Sequence, residues 1–359
     1  MKKSSPKDLR TRFSTLLLGW NRKENRRQMP WKGEKDPYKI WLSEIILQQT
    51  RVEQGWGYYN RFVEAFPTVE DLAKAPPARV LKLWEGLGYY SRCRNLMAAA
   101  HTIVKEWGGK FPDQHKDILS LKGVGPYTAA AIASFAFDLP HAVVDGNVFR
   151  VLARVFGIRT ATDTTEGKKI FTRLAGELLD KKKPALYNQA IMDFGATVCK
   201  PVSPLCGQCV FRKDCRAFLE NRVGSLPVKS KKISIRERSF YYLVLRWRGQ
   251  IAVRCRTGKD IWRGLYEFPL VESGPDSTKA GILREAARHH WVNKDSDLAG
   301  ELSRVFQQQL THQHIRARFL PVKIITRPQE KDWDWIRPVE AGRLAFPKLL
   351  RDFMDSGGL

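Results

Sequence analysis

The 359-residue sequence has no run approaching the ~18 consecutive apolar residues of a bilayer-spanning helix, so no segment is expected to cross a membrane. Its N-terminus carries Lys2, Lys3, Lys7, Arg10 and Arg12 but only a short apolar run, Leu16–Leu18, and no small-residue cleavage site, which argues against a secretory signal. Cysteine is scarce: six residues are too few to staple a chain of this length. Internal repeats and low-complexity tracts are missing, and 43% hydrophobic with 28% charged residues excludes disorder and fibre architectures. Acidic residues are also short. There are 37 Asp and Glu against 62 Lys and Arg, giving a net charge of +25 and a pI near 9.9. A surplus of that size repels itself unless a polyanion neutralises it, which points to nucleic acid ahead of an anionic membrane.

The length suffices for two packed cores, since single domains usually run ~100–200 residues. Residues 1–225 read as mostly helical, with helical spacing of apolar residues over 38–54, 78–85, 94–107, 127–137, 146–156, 166–180 and 185–198. The basic stretch 226–238 has no core-forming periodicity and reads as a linker. Residues 239–359 change texture: 239–255 is aromatic and β-branched around Arg248-Gly249-Gln250, a hairpin signal. Apolar runs at 302–306, 314–325 and 333–336 and one helical segment at 278–290 make this half α+β.

Four of the cysteines fall within seventeen positions, as Cys199-x6-Cys206-x2-Cys209-x5-Cys215, in a loop spanning 199–215. Four soft thiolates at such spacing can enclose a tetrahedral zinc or an iron–sulfur cluster, and spacing does not separate the two. A second motif is Leu121-Lys122-Gly123-Val124-Gly125-Pro126-Tyr127. Gly123 and Gly125 permit a tight turn and Pro126 suits the first turn of the next helix, giving a helix–hairpin–helix whose amides can hold a phosphate without reading sequence. Glu44 sits among apolar and amide neighbours in the run from Trp41 to Thr50, either on a polar stripe or in an environment favouring its neutral form. Asp145 opens Asp145-Gly146-Asn147, 22 residues after Gly123; a helix N-cap is the simplest reading of it.

Together these elements resemble the helix–hairpin–helix DNA glycosylase superfamily, which includes endonuclease III, and within it the A/G-specific adenine DNA glycosylases. The likeness rests on Met29-Pro30-Trp31, the run Trp41–Val52, the segment from Gly86 to Arg92, the hairpin, Asp145-Gly146-Asn147, Asn188-Gln189-Ala190 with Asp193 and Gly195, and the cysteine loop. It continues through the stretch from Trp262 to Pro269 and on to Leu310-Thr311-His312 and His314. The resemblance implies a two-domain fold: an all-α helix–hairpin–helix catalytic domain over 1–225 with a four-cysteine iron–sulfur loop, and an α+β Nudix-like lesion-recognition domain over 239–359. It implies one 4Fe–4S cluster held by Cys199, Cys206, Cys209 and Cys215. The partner it implies is double-stranded DNA bearing adenine opposite 8-oxoguanine or guanine, bound by a monomer that is cytoplasmic, and nucleoid-associated if bacterial.

The site residues follow from the same resemblance. Glu44 is the general acid and base, Asp145 stabilises the positive charge on the sugar, and Tyr127 and Asn147 support them by hydrogen bonds. Arg27, Met29, Trp31, Leu47, Val52, Tyr127 and Gln189 line the adenine pocket. Gln48 is a further substrate-binding residue, and Gln49, Thr50, Leu87 and Tyr89 lie near the opposite purine, with Thr311 and His312 reaching it from the second domain. Gly123 and Gly125 hold the DNA backbone. Bifunctional relatives carry a lysine nucleophile where this chain has Tyr127, which cannot form an imine. A glycosylase/AP lyase and a non-catalytic iron–sulfur DNA-binding protein are therefore the alternatives, not the first reading. The helix comparable to a Nudix metal site, 281–290, supplies only Glu285 and is expected to bind without hydrolysing. Where the family has Phe-Ser-His, this chain has Leu310-Thr311-His312.

Overall fold

The computed structural model describes residues 6–29, 32–230, 234–293 and 297–359. The chain divides into two compact units, one of Met1–Lys74 with Asn95–Lys231, the other of Ala75–Arg94 with Lys232–Leu359. The division falls within the stretch 226–238 read as a linker, of which residues 231–233 lie outside the described residues. Chain order gave no sign that 75–94 belongs with the later unit. The helices run α1 (Pro6–Lys23), α2 (Pro37–Leu47), α3 (Val52–Ala65), α4 (Val69–Lys74), α5 (Pro77–Trp84), α6 (Tyr90–Trp107), α7 (His115–Ser120), α8 (Pro126–Phe137), α9 (Gly146–Phe156), α10 (Thr165–Leu178), α11 (Pro184–Thr197) and α12 (Arg216–Leu219). Among the described residues no helix is long and apolar enough to cross a membrane.

In the first unit, α1 buries Leu9, Phe13, Leu17 and Trp20, a stripe at helical spacing. Phe13 stacks on Phe211 at 4.5 Å and Trp20 meets Phe194 of α11 edge-on at 4.9 Å. Each such buried aromatic is worth ~1.5–3 kcal/mol against exposure, so α1 ties α11 to the cysteine-bearing loop. Proline at the first turn of α2, α8 and α11 costs no hydrogen bond there. α9 turns Val148, Val151, Leu152 and Val155 inward and ends on Gly157 in the left-handed region. It lies so close to α11 that a Cβ on Gly195 would stand 2.6 Å from the Cβ of Asn147.

The segment 38–54 is two helices, not one. α2 stops at Leu47 and α3 starts at Val52, with Gln49 left-handed at φ 57 between them. The apolar spacing runs on through the break because Leu47 and Val52 both face the same cleft, so periodicity alone does not reveal the turn.

In the second unit a mixed sheet is built from β1 (Arg236–Trp247), β2 (Gln250–Cys255), β3 (Tyr266–Glu267), β4 (Leu270–Ser273), β5 (Leu298–Ala299), β6 (Phe306–Gln309), β7 (Gln313–Lys323) and β8 (Asp334–Ile336). Arg248 and Gly249 are both left-handed, as a two-residue hairpin turn between β1 and β2 requires. β1 pairs in parallel with β7, from Arg236 opposite Gln313 to Arg246 opposite Lys323, and antiparallel with β2 and β4. Alternation along β1 sorts its side chains. Tyr241, Leu243 and Leu245 pack with Ile282 and Ala286 of α13 (Lys279–Arg288) and with Trp291. On the other face Tyr242 stacks on Phe319, and Phe319 on Phe353 of α14 (Lys348–Phe353) at 3.7 Å.

Polar contacts explain why 75–94 groups with this unit. Glu85 accepts from Arg351 Nη2 at 2.8 Å, from the Phe346 amide at 2.9 Å and from Lys82 Nζ at 2.6 Å. Arg94 donates to the Arg263 carbonyl at 2.6 Å. The bonds from Arg351 and Phe346 to Glu85, and from Arg94 to Arg263, attach α5 and the start of α6 to the C-terminal chain.

Candidate active site

A cleft of about 1420 Å³ opens in the first unit. Its wall comes from α2, the turn after it, the start of α3, the hairpin before α8, the start of α9 and α11. It gathers Arg27, Met29, Glu44, Leu47, Gln48, Gln49, Thr50, Val52, Gly123, Gly125, Tyr127, Asp145, Asn147 and Gln189, which lie up to 162 positions apart in sequence. Trp31 falls outside the described residues. Leu87, Tyr89, Thr311 and His312 line a separate cavity of about 500 Å³ in the second unit.

Glu44 is carried by α2, whose residues 40–46 are all buried. Asp36 caps that helix, accepting from the Tyr38 amide at 2.9 Å. Burial pushes the Glu44 carboxyl up to about 7, and the negative charge of Asp145 adds to the rise; a hydrogen bond from Tyr127 opposes it. The Tyr127 phenol is itself driven well above its ordinary value by burial and by the charges of Glu44 and Asp145. It therefore stays protonated and donates to Glu44.

Asp145 is a helix cap and a cleft residue at once. Its Oδ1 accepts from the Val148 amide at 2.7 Å and its Oδ2 from Asn147 Nδ2 at 2.7 Å. Burial raises this carboxyl too, but the bonds from Val148 and Asn147 and the charge of Arg150 pull it back. Burial is the largest influence on both carboxyls, but Asp145 has donors aimed at both of its oxygens, which favour the ionised form. Two carboxyls thus share one cleft in unlike environments.

Arg150, one turn along α9, was not among the residues expected from sequence. It donates to Asn147 Oδ1 at 2.7 Å, to the Gly195 carbonyl at 2.7 Å and to the Cys199 carbonyl at 2.6 Å. Arg154 continues the line, reaching the Lys200 carbonyl at 2.7 Å and Cys199 Sγ at 3.5 Å. One face of α9 therefore runs from Asp145 to the cysteine loop. All six cysteines are free. Burial raises the thiols of Cys199, Cys209 and Cys215, and charge on neighbouring cysteines of the loop raises each further. Among the described residues no three His, Cys, Asp or Glu side chains are gathered tightly enough to hold a metal ion.

The hairpin joins α7 to α8. Gly123 is left-handed at φ 83, and a Cβ there would lie 2.7 Å from the Cβ of Asn95, so the turn needs glycine on both counts. Gly125 caps α8 at φ −94 with open space where a Cβ would be.

Asp193 on α11 also escaped the sequence reading as a site residue. It is fully buried and receives Arg27 Nη1 at 2.9 Å, Lys32 Nζ at 3.1 Å, Gln189 Nε2 at 2.9 Å and Asn25 Nδ2 at 2.8 Å. A carboxylate between Met192 and Phe194, four residues after Gln189, was the available signal.

In the second unit Tyr89 is left-handed at φ 48 after Gly86 and Gly88, also left-handed, and its hydroxyl meets Thr311 Oγ1 at 2.6 Å. Leu87 is buried; Tyr89, Thr311 and His312 are exposed. On α13 Glu285 is engaged with Arg288 and, at longer range, with His289.

Residues 42–176 match the family model of HhH-GPD superfamily base excision DNA repair proteins, and residues 241–356 match that of the NUDIX domain. The adenine DNA glycosylase of Buchnera aphidicola subsp. Baizongia pistaciae is 34% identical over 307 residues, spanning 84% of this chain and 83% of that protein. This chain belongs to the adenine DNA glycosylase family. Its relative in Mus musculus, again an adenine DNA glycosylase, is 41% identical over 236 residues, covering 63% of this chain and 46% of the mouse protein. Among solved structures, a thermostable thymine-DNA glycosylase superposes with a TM-score of 0.56 at 31% identity, over 60% of this chain and all of that one. The first family model takes in Glu44, the hairpin and Asp145, and the second takes in the sheet. The chain is thus an enzyme of the DNA glycosylase class, with a helix–hairpin–helix domain and a Nudix-like α+β domain.

Proposed function

We propose that this enzyme removes adenine mispaired with 8-oxoguanine, or less efficiently with guanine, from duplex DNA by hydrolysis alone. The observation carrying the reading is a buried glutamic acid, Glu44, with its carboxyl near pH 7, set against Asp145 in one cleft. Paired carboxyls in unlike environments divide acid and base roles between them. The adenine must be flipped out of the stack, at a cost of a few kcal/mol, into a pocket offering the apolar bodies of Met29, Leu47 and Val52 and the polar ends of Arg27 and Gln189. Glu44 gives its proton to N7 of the base. The C1′–N9 bond then breaks with its electron pair leaving on the neutralised adenine. Asp145, ionised and held by Val148 and Asn147, stabilises the oxocarbenium-like sugar. Glu44, now a carboxylate, takes a proton from the water that adds to C1′. Free adenine and an abasic site result.

Absence of a lyase step is supported by Tyr127, which stands where an imine-forming lysine would be needed. Lys32 and Lys35, which line the described cleft, are engaged with Asp193 and Asp138. An ion-paired ammonium is a poor nucleophile. Opposite-base recognition is assigned to Gln48, Gln49 and Thr50 of the turn after α2 and to Leu87, Tyr89, Thr311 and His312 of the second unit. Gly123 and Gly125 place the first amides of α8 for a DNA phosphate. The protein acts as a monomer.

Cys199, Cys206, Cys209 and Cys215 would hold one 4Fe–4S cluster. Four free thiols within one seventeen-residue loop are the donor set that such a cluster takes. The cluster's contribution when bound is structural, since four thiolates close its shell and brace a loop carrying Lys200, Arg212, Lys213 and Arg216 toward DNA phosphates.

The deciding assay is single-turnover cleavage of duplexes with adenine opposite 8-oxoguanine, quenched with and without alkali. Strand scission only after alkali, and its loss by ~10²–10⁴-fold in Glu44→Gln, is the expected result. Scission without alkali would indicate a lyase. Normal duplex binding with no base release by the wild-type protein would indicate a binding protein.

A further inference from the structure

Asp193 lies beneath the cleft and no step above uses it. Its carboxylate is fully buried and collects two cations and two amides, of which Arg27, Lys32 and Gln189 also line the cleft. Carboxylate oxygens accept, and four donors are turned on this one. The amide of Gln189 therefore must turn its NH2 end toward Asp193, as the 2.9 Å bond from Nε2 records. The planar amide then has its carbonyl oxygen left for a ligand. Without Asp193 the same side chain could present either end.

From this we propose that Asp193 is a positioning residue that sets the polarity of base recognition: it holds Gln189 with an acceptor toward the cleft, so that the pocket takes a purine with an amino group at C6 and rejects one with a carbonyl there. The inference rests on the adenine reading above and deepens it. Adenine carries hydrogen-bond donors at C6. Hypoxanthine is the same ring system with an acceptor at that position, which would face the Gln189 oxygen. Arg27 and Lys32, both held by Asp193, are left as fixed donors for ring nitrogens, and the carboxylate offsets one of their two positive charges.

The test compares single-turnover excision of adenine and of hypoxanthine, each opposite guanine, by wild type, Asp193→Asn, Gln189→Met and the double variant Asp193→Asn with Gln189→Glu. One correctly oriented hydrogen bond is worth ~0.5–1.5 kcal/mol net, so the adenine-to-hypoxanthine rate ratio should fall roughly threefold to tenfold in Asp193→Asn and in Gln189→Met. The double variant exchanges carboxylate and amide, restores an obligatory acceptor at position 189, and should regain the ratio. A purely structural role would slow both substrates alike and leave the ratio unmoved, which overturns the proposal. Gln189→Met keeps the ion cluster intact, so it decides the matter even where Asp193→Asn does not fold: an unchanged ratio there also refutes it. Failure of the wild-type protein to release adenine from any duplex would instead sink the glycosylase reading, and this inference with it.

Discussion

Replacing Tyr127 with Phe removes a single hydroxyl from the Glu44 carboxyl. Burial and the Asp145 charge hold that carboxyl at about 7, and the Tyr127 hydrogen bond is what keeps it from rising further. A net hydrogen bond of ~0.5–1.5 kcal/mol, at about 1.36 kcal/mol per pKa unit, predicts an upward move of roughly 0.4–1 unit in the variant. In the wild-type enzyme the transferable proton is lost above pH 7, so single-turnover adenine release should drop about tenfold per pH unit beyond it. In Tyr127→Phe the drop begins at higher pH. On the acid side the rate should fall where Asp145 gains a proton, and that carboxyl is itself raised by burial, giving a bell-shaped profile. Rates measured from pH 4 to 10 with enzyme in excess over a duplex carrying adenine opposite 8-oxoguanine provide both limbs. An alkaline limb in the ordinary carboxylate range, or one that moves downward in Tyr127→Phe, would refute the electrostatic account of Glu44.

The same carboxyl costs the fold stability. Its folded value of about 7 lies above its ordinary 4.5, so stability tied to its proton is fully present below the ordinary value and is lost as pH rises to about 7. Glu44→Gln should therefore melt higher than wild type at pH 8, by at most about 3 kcal/mol on that gap, with little difference near pH 5; equal melting curves at both pH values would show Glu44 to be solvated. Thr311→Val breaks the 2.6 Å contact with Tyr89 and should reduce the preference for 8-oxoguanine over guanine opposite adenine threefold to tenfold, as read from single-turnover rates on the two duplexes. Protein purified without oxygen should be brown, and Cys206→Ala should lose the visible absorbance; a colourless wild-type preparation with one zinc per chain would reverse the cluster assignment.

Much of this protein was legible as a linear text, and for one reason: the relevant features are local. The cysteine spacing, the two hairpin glycines before Pro126, the cap at Asp145 and the hairpin at Arg248-Gly249 each depend on neighbours within a few residues. So does the assignment of a helical first half and a strand-rich second. Tertiary structure decided what depends on burial and on distant partners. Helical spacing runs unbroken through 38–54, yet packing around a common cleft bends the chain at Gln49, because two short helices can both face that cleft and one long helix cannot. Segment 75–94 joined the later unit through Glu85, whose partners Phe346 and Arg351 lie more than 260 positions away. The unlike environments of Glu44 and Asp145, and the convergence of Arg27, Lys32 and Gln189 on Asp193, likewise exist only once α2, α8, α9 and α11 are assembled. A carboxyl's proton affinity is set by what surrounds it in space, and sequence names only its neighbours along the chain.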